Sequence, residues 1–223
     1  MPVTDEDPRY GRQPPERYFG KYAGLVADNS PPDSGSHRGE VVVTVPGILE
    51  ETAEGSGSQP IKVRAAPAFL PGYFFVPNHN DTVWVEFVNG DINYPIWSAV
   101  WYPKDETPKT VDGSAPTQEQ KIIRTKSGQV IQLEDTSGSE QLVIKNEVHK
   151  ATITFDKSGI TITSENGIAL NYQPSGGSTA TLTLDSNGIA ASCGQSSLTV
   201  TDQQIVLSRP AVSLTVASTV DVS

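Results

Sequence analysis

Cysteine is nearly missing from this chain: Cys193 is the single one in 223 residues. No intrachain disulfide can form, so covalent cross-links do not hold the fold together, and the usage fits synthesis in a reducing compartment. Long apolar runs are missing too. None approaches the roughly 18 residues of a membrane helix, and the opening stretch MPVTDEDPRYGRQPPERYF has no apolar core of the kind a secretory signal carries. Basic charge is scarce, with 16 Lys and Arg against 26 Asp and Glu and a net charge of −10. Nucleic acid and anionic membranes both call for a basic surface, so neither is expected as a stable partner. Helical periodicity of useful length is absent. Aromatics run out as well: no Phe, Trp or Tyr follows Tyr172, and the only basic residue after Lys157 is Arg209.

What is present points to β-structure. Gly and Pro number 19 and 17, and the hydrophobic fraction is a modest 36%, as in an all-β chain with many turns. Residues 1–18 are charged and carry Pro2, Pro8, Pro14 and Pro15. Such a stretch buries little by itself and reads as an extended arm, ordered on a partner or simply disordered. Residues 19–103 hold all three tryptophans, Trp84, Trp97 and Trp101. YAGLVADN, GEVVVTVPGI, IKVRAAPAF, DTVWVEFVNG and YPIWSAVWYP read as strands separated by Gly, Pro, Asn and Asp. In DTVWVEFVNG, Val83, Val85 and Phe87 share one face, and Trp84 and Glu86 the other. Five strands in so short a span predict a small closed barrel, because closure removes exposed edges. LEETAEGSGSQP reads as a loop within it, and residues 104–118 as a linker by composition.

From residue 119 to 223 the pattern changes. KIIRT, QVIQLEDT, EQLVIKN, ATITFDKSG, ITITSENG, IALNY, ATLTLDSNG, SLTVTD, QIVLS and VSLTVAS succeed one another. This is a quasi-repeat of strand and turn, with a period of roughly eight to eleven residues, the mark of solenoids and β-helices. Alternation puts Ile160, Ile162, Ile168, Leu170, Leu182, Leu184, Leu198, Val200, Ile205, Leu207, Val212, Leu214 and Val216 on one face. A narrow strip of such residues cannot cover itself within one chain. Three chains wound about one axis can share it, with Ser and Thr rows outside. An intertwined trimeric, triple-stranded β-helix is therefore expected. A single-chain solenoid or a sandwich is the alternative, although a sandwich core calls for large inward aromatics that are scarce here.

Several motifs carry the resemblance to a family. An opening strand ending GLVADN, the strand VVVTVPG, the strand DTVWVEF and the close GDINYPIWSAVWY together resemble the OB-fold barrel of the phage baseplate assembly protein V family, found also in VgrG-type spikes. IIRTKSGQVIQLEDTSGSEQLVIKN resembles the junction from which the needle of those proteins starts. The resemblance implies a central spike of a contractile tail. Three copies would stand on a trimeric tail hub at the barrel side, and the needle would be driven through the target envelope on contraction. It implies a protein made in the cytoplasm and built into the centre of the baseplate, touching the target membrane only transiently. Some relatives place a lysozyme domain between barrel and needle, which 104–118 is too short to hold. Others close the needle with a His-x-His metal tip, and SRPAVSLTVASTVDVS has no histidine. A separate PAAR-like tip protein is expected instead, docked on Val216, Val220 and Val222.

No catalytic, cofactor-binding or metal-binding residue stands out. His37, His79 and His149 are far apart and turn-like in setting. The Gly-rich EGSGSQ has no helix or lysine after it and cradles no phosphate. No G-x-S-x-G elbow and no Cys/His metal spacing occurs. Acidic neighbours such as Glu50 and Glu51 read as solvated loop charge, and Cys193 as a small buried core residue. A trimeric tail-fibre or receptor-binding protein recognising envelope glycans is the competing function.

Overall fold

Alternation of valine with polar residues closes the first half of the chain into a barrel. The computed structural model describes residues 16–31, 38–53 and 57–217. The arm expected over 1–18 lies outside these apart from its last three positions, as do His37, Val220 and Val222. The first unit, ending at Glu106, contains β1 (Tyr22–Asp28), β2 (Val41–Thr44), β3 (Glu50–Ala53), β4 (Gly57–Pro60), β5 (Val63–Pro67), β6 (Thr82–Phe87) and β7 (Pro95–Val100). The barrel order is β1-β2-β5-β7-β6, closed by β6 on β1, and β5 beside β7 is the one parallel pair. All five strands read from the sequence are there. LEETAEGSGSQP is not a loop: β3 and β4 pair as a hairpin, Glu50 opposite Pro60. It lies outside the barrel sheet, so no apolar alternation marks it in the sequence.

Inward residues meet in a valine-rich core of Val26, Val41, Val43, Val45, Val83 and Val85, with Leu49, Ala65, Phe87 and Trp97. Register shifts in β1, between Val26 and Asp28, and in β6, between Trp84 and Val85, let these strands bend around the core. The Trp97 indole N–H donates to the Gly39 carbonyl at 2.9 Å, and Phe69 stands edge-on to its ring. Gly39 has φ +87, and a Cβ there would sit 2.3 Å from the Phe69 ring, so only glycine fits.

The second unit begins at Thr107. It holds β8 (Gln120–Arg124), β9 (Gln129–Glu134), β10 (Gln141–Asn146), β11 (Ala151–Asp156), β12 (Gly159–Ser164), β13 (Ile168–Tyr172), β14 (Ala180–Asp185), β15 (Gly188–Cys193), β16 (Ser196–Val200), β17 (Gln204–Arg209) and β18 (Val212–Ala217). β8 to β12 make a five-stranded sheet and β13 to β18 a six-stranded one, each an antiparallel meander in which sequence neighbours pair. The strand read as QVIQLEDT and its fellows are all present, and β15 is an addition. Its GIAASC sequence has only Ile189 as a large apolar residue, too little for period-two alternation to stand out. The ladders run from hairpin to hairpin along one chain, whereas the sequence expectation completes strand edges with other chains. What the second unit leaves uncovered is a face.

Candidate interaction surfaces

Register decides which side chains share a face, because directly paired residues project to the same side. In the six-stranded sheet, Ile168 pairs Leu184, Leu184 pairs Ile189, Ile189 pairs Val200, and Val200 pairs Ile205. A second row runs Leu170, Leu182, Ala191, Leu198, Leu207. The positions of Val216, Leu214 and Val212 stand opposite Ile205, Leu207 and Arg209. In the five-stranded sheet, Ile160 pairs Phe155 and Ile162 pairs Ile153. All the residues read from the sequence as one strip thus fall in one register phase within each sheet.

The strip also begins earlier than sequence reasoning placed it. Ile123, Ile131, Ile144 and Ile153 form one row, and Leu133, Leu142 and Phe155 another. The first row lines the apolar wall of a groove of about 430 Å³ together with Ile162 and Ile168. The phase of this half is hidden in the sequence, because apolar residues stand side by side in Ile122-Ile123 and Val130-Ile131. The structure gives the reason: this sheet is covered on its back as well. Val130 and Val143 are buried there, with Gln132 and Glu134 beside them.

The cover is the stretch that reads as a linker. Lys145 Nζ donates to the Val111 carbonyl at 2.6 Å, and the Val111 N–H donates to Gln132 Oε1 at 2.8 Å. Arg124 donates to the carbonyls of Lys109 and Thr110 and pairs with Glu147 at 2.5 Å. Thr110 is buried, and its hydroxyl donates to Asp112 and accepts from the Ser114 N–H. These donors hold the Asp112 carboxyl below the ordinary aspartate range, the Thr110 hydroxyl first among them. Glu134 is held low in the same way, by the Thr136 hydroxyl first and then by the Gln120 amide. Both are structural carboxylates whose hydrogen bonds favour the ionised form.

The front faces have no such cover. Leu184 is 37% exposed and Ile160 is 66% exposed, and Leu170, Leu182, Ile205 and Leu207 are also open. Cys193 follows them: it lies on this face opposite Ala180 and is exposed, not buried as its phase suggests. The back of the six-stranded sheet is hydroxyl-bearing, with Thr181 and Ser192 hydrogen-bonded across the strands at 2.7 Å. A single-layer sheet with one apolar face has no second layer to bury it, and two packed layers are the minimum for a stable domain.

His79 and His149 are exposed. Among the described residues, no group of three or more His, Cys, Asp or Glu is placed to hold a metal ion, and no helix is long and apolar enough to cross a membrane.

Comparison with known proteins completes the picture. No curated protein matches the chain in sequence. The closed barrel, with its one parallel pair, coincides with a family match covering residues 22–102. Over those residues the chain matches the type VI secretion system/phage-baseplate injector OB domain, a domain of baseplate type.

Proposed function

We propose that the chain is the central spike of a contractile tail or related injection system, acting as a homotrimer that pierces the target envelope on contraction. One observation carries the reading: a barrel that matches the injector OB domain is followed by two meander sheets on which apolar side chains of one register phase, Ile131, Ile144, Ile160, Leu184 and Leu207 among them, stand exposed. Three such faces turned toward one axis form a trimeric β-helical needle, in which every strip is covered by two others and the Ser/Thr rows lie outside. Burying one Leu or Ile contributes about 1.5–3 kcal/mol, and each chain offers more than a dozen. The role is mechanical, and no residue is assigned to catalysis or to a cofactor. The hydroxyl-lined back face carries no aromatic platform, which favours a spike over a glycan-binding fibre. The trimeric tail hub is its partner on the barrel side and a PAAR-like tip protein its partner at the other end. The particle, assembled from cytoplasmic protein, carries it at the centre of the baseplate.

The test is Leu184→Asp. Three carboxylates would meet in a dry interior, and an uncompensated buried charge is strongly destabilising. Sedimentation should give a trimer for the natural chain and lose it for the variant, while tryptophan fluorescence of the barrel is unchanged. A natural chain that sediments as a well-folded monomer at micromolar concentration would refute the proposal.

A further inference from the structure

The chain carries three Asn-Gly pairs, Asn89-Gly90, Asn166-Gly167 and Asn187-Gly188, and the fold treats them differently. A glycine has no Cβ to shield its amide nitrogen. That nitrogen can therefore attack the carboxamide carbon of the asparagine before it. The attack needs an open carboxamide and a glycine N–H that no acceptor or ladder holds.

Asn89 and Asn187 do not meet these conditions. Gly90 is buried, wedged against Arg17, Tyr18 and the Phe19 ring, and the Asn89 carbonyl accepts from Arg17 at 3.0 Å. Gly188 already belongs to β15, in register with Asp185 at the end of a closed hairpin and packed on the Val200 carbonyl. Asn166 is exposed and lies between β12 and β13, where the chain crosses from the five-stranded to the six-stranded sheet. Among the described residues, no backbone acceptor holds the Gly167 N–H. The hydrogen bonds of Asn166, from its N–H to Ser164 Oγ and from Nδ2 to the His149 carbonyl, leave the carboxamide carbon open. The fold keeps the glycine here, since its φ is +97 and a Cβ would stand 2.9 Å from the Leu184 carbonyl.

We infer that Asn166 is a site of spontaneous deamidation in the folded protein. The Gly167 nitrogen gives its proton to solvent base and bonds to the side-chain carbonyl carbon of Asn166. The bond from that carbon to Nδ2 breaks, and ammonia leaves. Water then opens the cyclic imide at one carbonyl or the other, leaving aspartate or isoaspartate. The departing amide is the one that donates to the His149 carbonyl at 3.1 Å, beside the Lys150–Glu165 ion pair at 2.9 Å. A carboxylate has no proton to donate there, and isoaspartate lengthens the main chain by one methylene. The crossing between the sheets therefore loosens as the protein ages.

The full chain is kept in warm, mildly alkaline buffer, with and without urea, and digested at intervals for mass spectrometry. In urea the three Asn-Gly peptides should convert at similar rates. In the native chain the Asn166 peptide should lead the other two by about tenfold or more, because a ladder or buried turn must open locally before its amide can attack. Asn166→Gln should remove the mass increment from that peptide, since the larger ring closes slowly. In aged protein the Glu165 N–H, which donates to the Lys150 carbonyl at 3.4 Å, should exchange faster, as it should in fresh Asn166→Asp. No increment at Asn166, equal conversion at Asn89 or Asn187 in the native chain, or an increment that survives Asn166→Gln overturns the site. Unchanged exchange in both the aged chain and Asn166→Asp overturns the loosening.

Discussion

Single side chains divide this protein into groups that hold the fold and apolar groups left open on its faces. Trp97 belongs to the first. Its buried indole N–H serves the Gly39 carbonyl, so Trp97→Phe removes that hydrogen bond as well as opening space. A cost of about 0.5–1.5 kcal/mol is expected for the lost hydrogen bond, measured as a lower urea midpoint of barrel fluorescence. Gln132 is its counterpart in the second unit. It is nearly fully buried and accepts from the Val111 N–H, so Gln132→Ala should free the 107–118 cover locally. Amide exchange at Val111 should quicken by tenfold or more, with Ile153 and Ile162 unaffected. Acid acts on the same region. Asp112 and Glu134 have folded-state values below their unfolded ones. Their stabilisation is therefore complete above the unfolded carboxyl range, about 3.9–4.3, and is lost as pH falls through the lower folded values. Exchange at Val111 should be flat from pH 7 to about 5 after correction for the intrinsic rate, and should rise below about 4. A rise already complete at pH 5 would contradict this.

At the level of strands, turn chemistry and face chemistry decide the architecture together. The β14–β15 turn shows the first. Asp185 accepts from the Asn187 N–H, and Gly188 takes φ +122, where a Cβ would stand 2.1 Å from the Val200 carbonyl. Gly188→Ala should cost more than about 1 kcal/mol, seen as a lowered melting temperature, and should also disturb the pairing of β15 with β16. The second explains how far the chain could be read. The barrel strands were legible because Val83, Val85 and Phe87, buried, alternate cleanly with half-buried neighbours. The strip from Ile160 onward was legible for the same reason, since the six-stranded sheet has one apolar face and one hydroxyl face. Legibility failed where that contrast fails. β9 is apolar at adjacent positions because Val130 faces the cover and Ile131 faces the open side. β15 is built largely from Ala and Ser, and β3 and β4 form a sheet apart from the barrel. The cover itself was illegible, because Val111 is held through backbone groups that any residue carries.

On the scale of the whole molecule, the two units ask for different partners. The barrel has its own core and closed sheet, so a fragment of residues 16–106 should fold alone, stay monomeric at micromolar concentration and keep its near-UV tryptophan signal. The second unit is expected to fold fully only as three copies. Its far end poses a further demand. β18 is the outermost strand of the six-stranded sheet, and among the described residues nothing pairs with its outer edge. An open edge beside an apolar strip invites further pairing and aggregation, and in a trimer three such edges stand together. Val212, Leu214 and Val216 continue the register of the strip up to that edge, and the alternation of the sequence carries on through Val220 and Val222. Under the proposed function, a small conical tip protein would cover this edge. Removing residues 210–223 should therefore abolish capture of the tip protein, measured by co-purification from assembled particles, and leave attachment to the hub unchanged. Were the shortened chain to retain its tip, or a map of the mature particle to show the last strands closing on themselves, residues near Val216 would not be the docking surface.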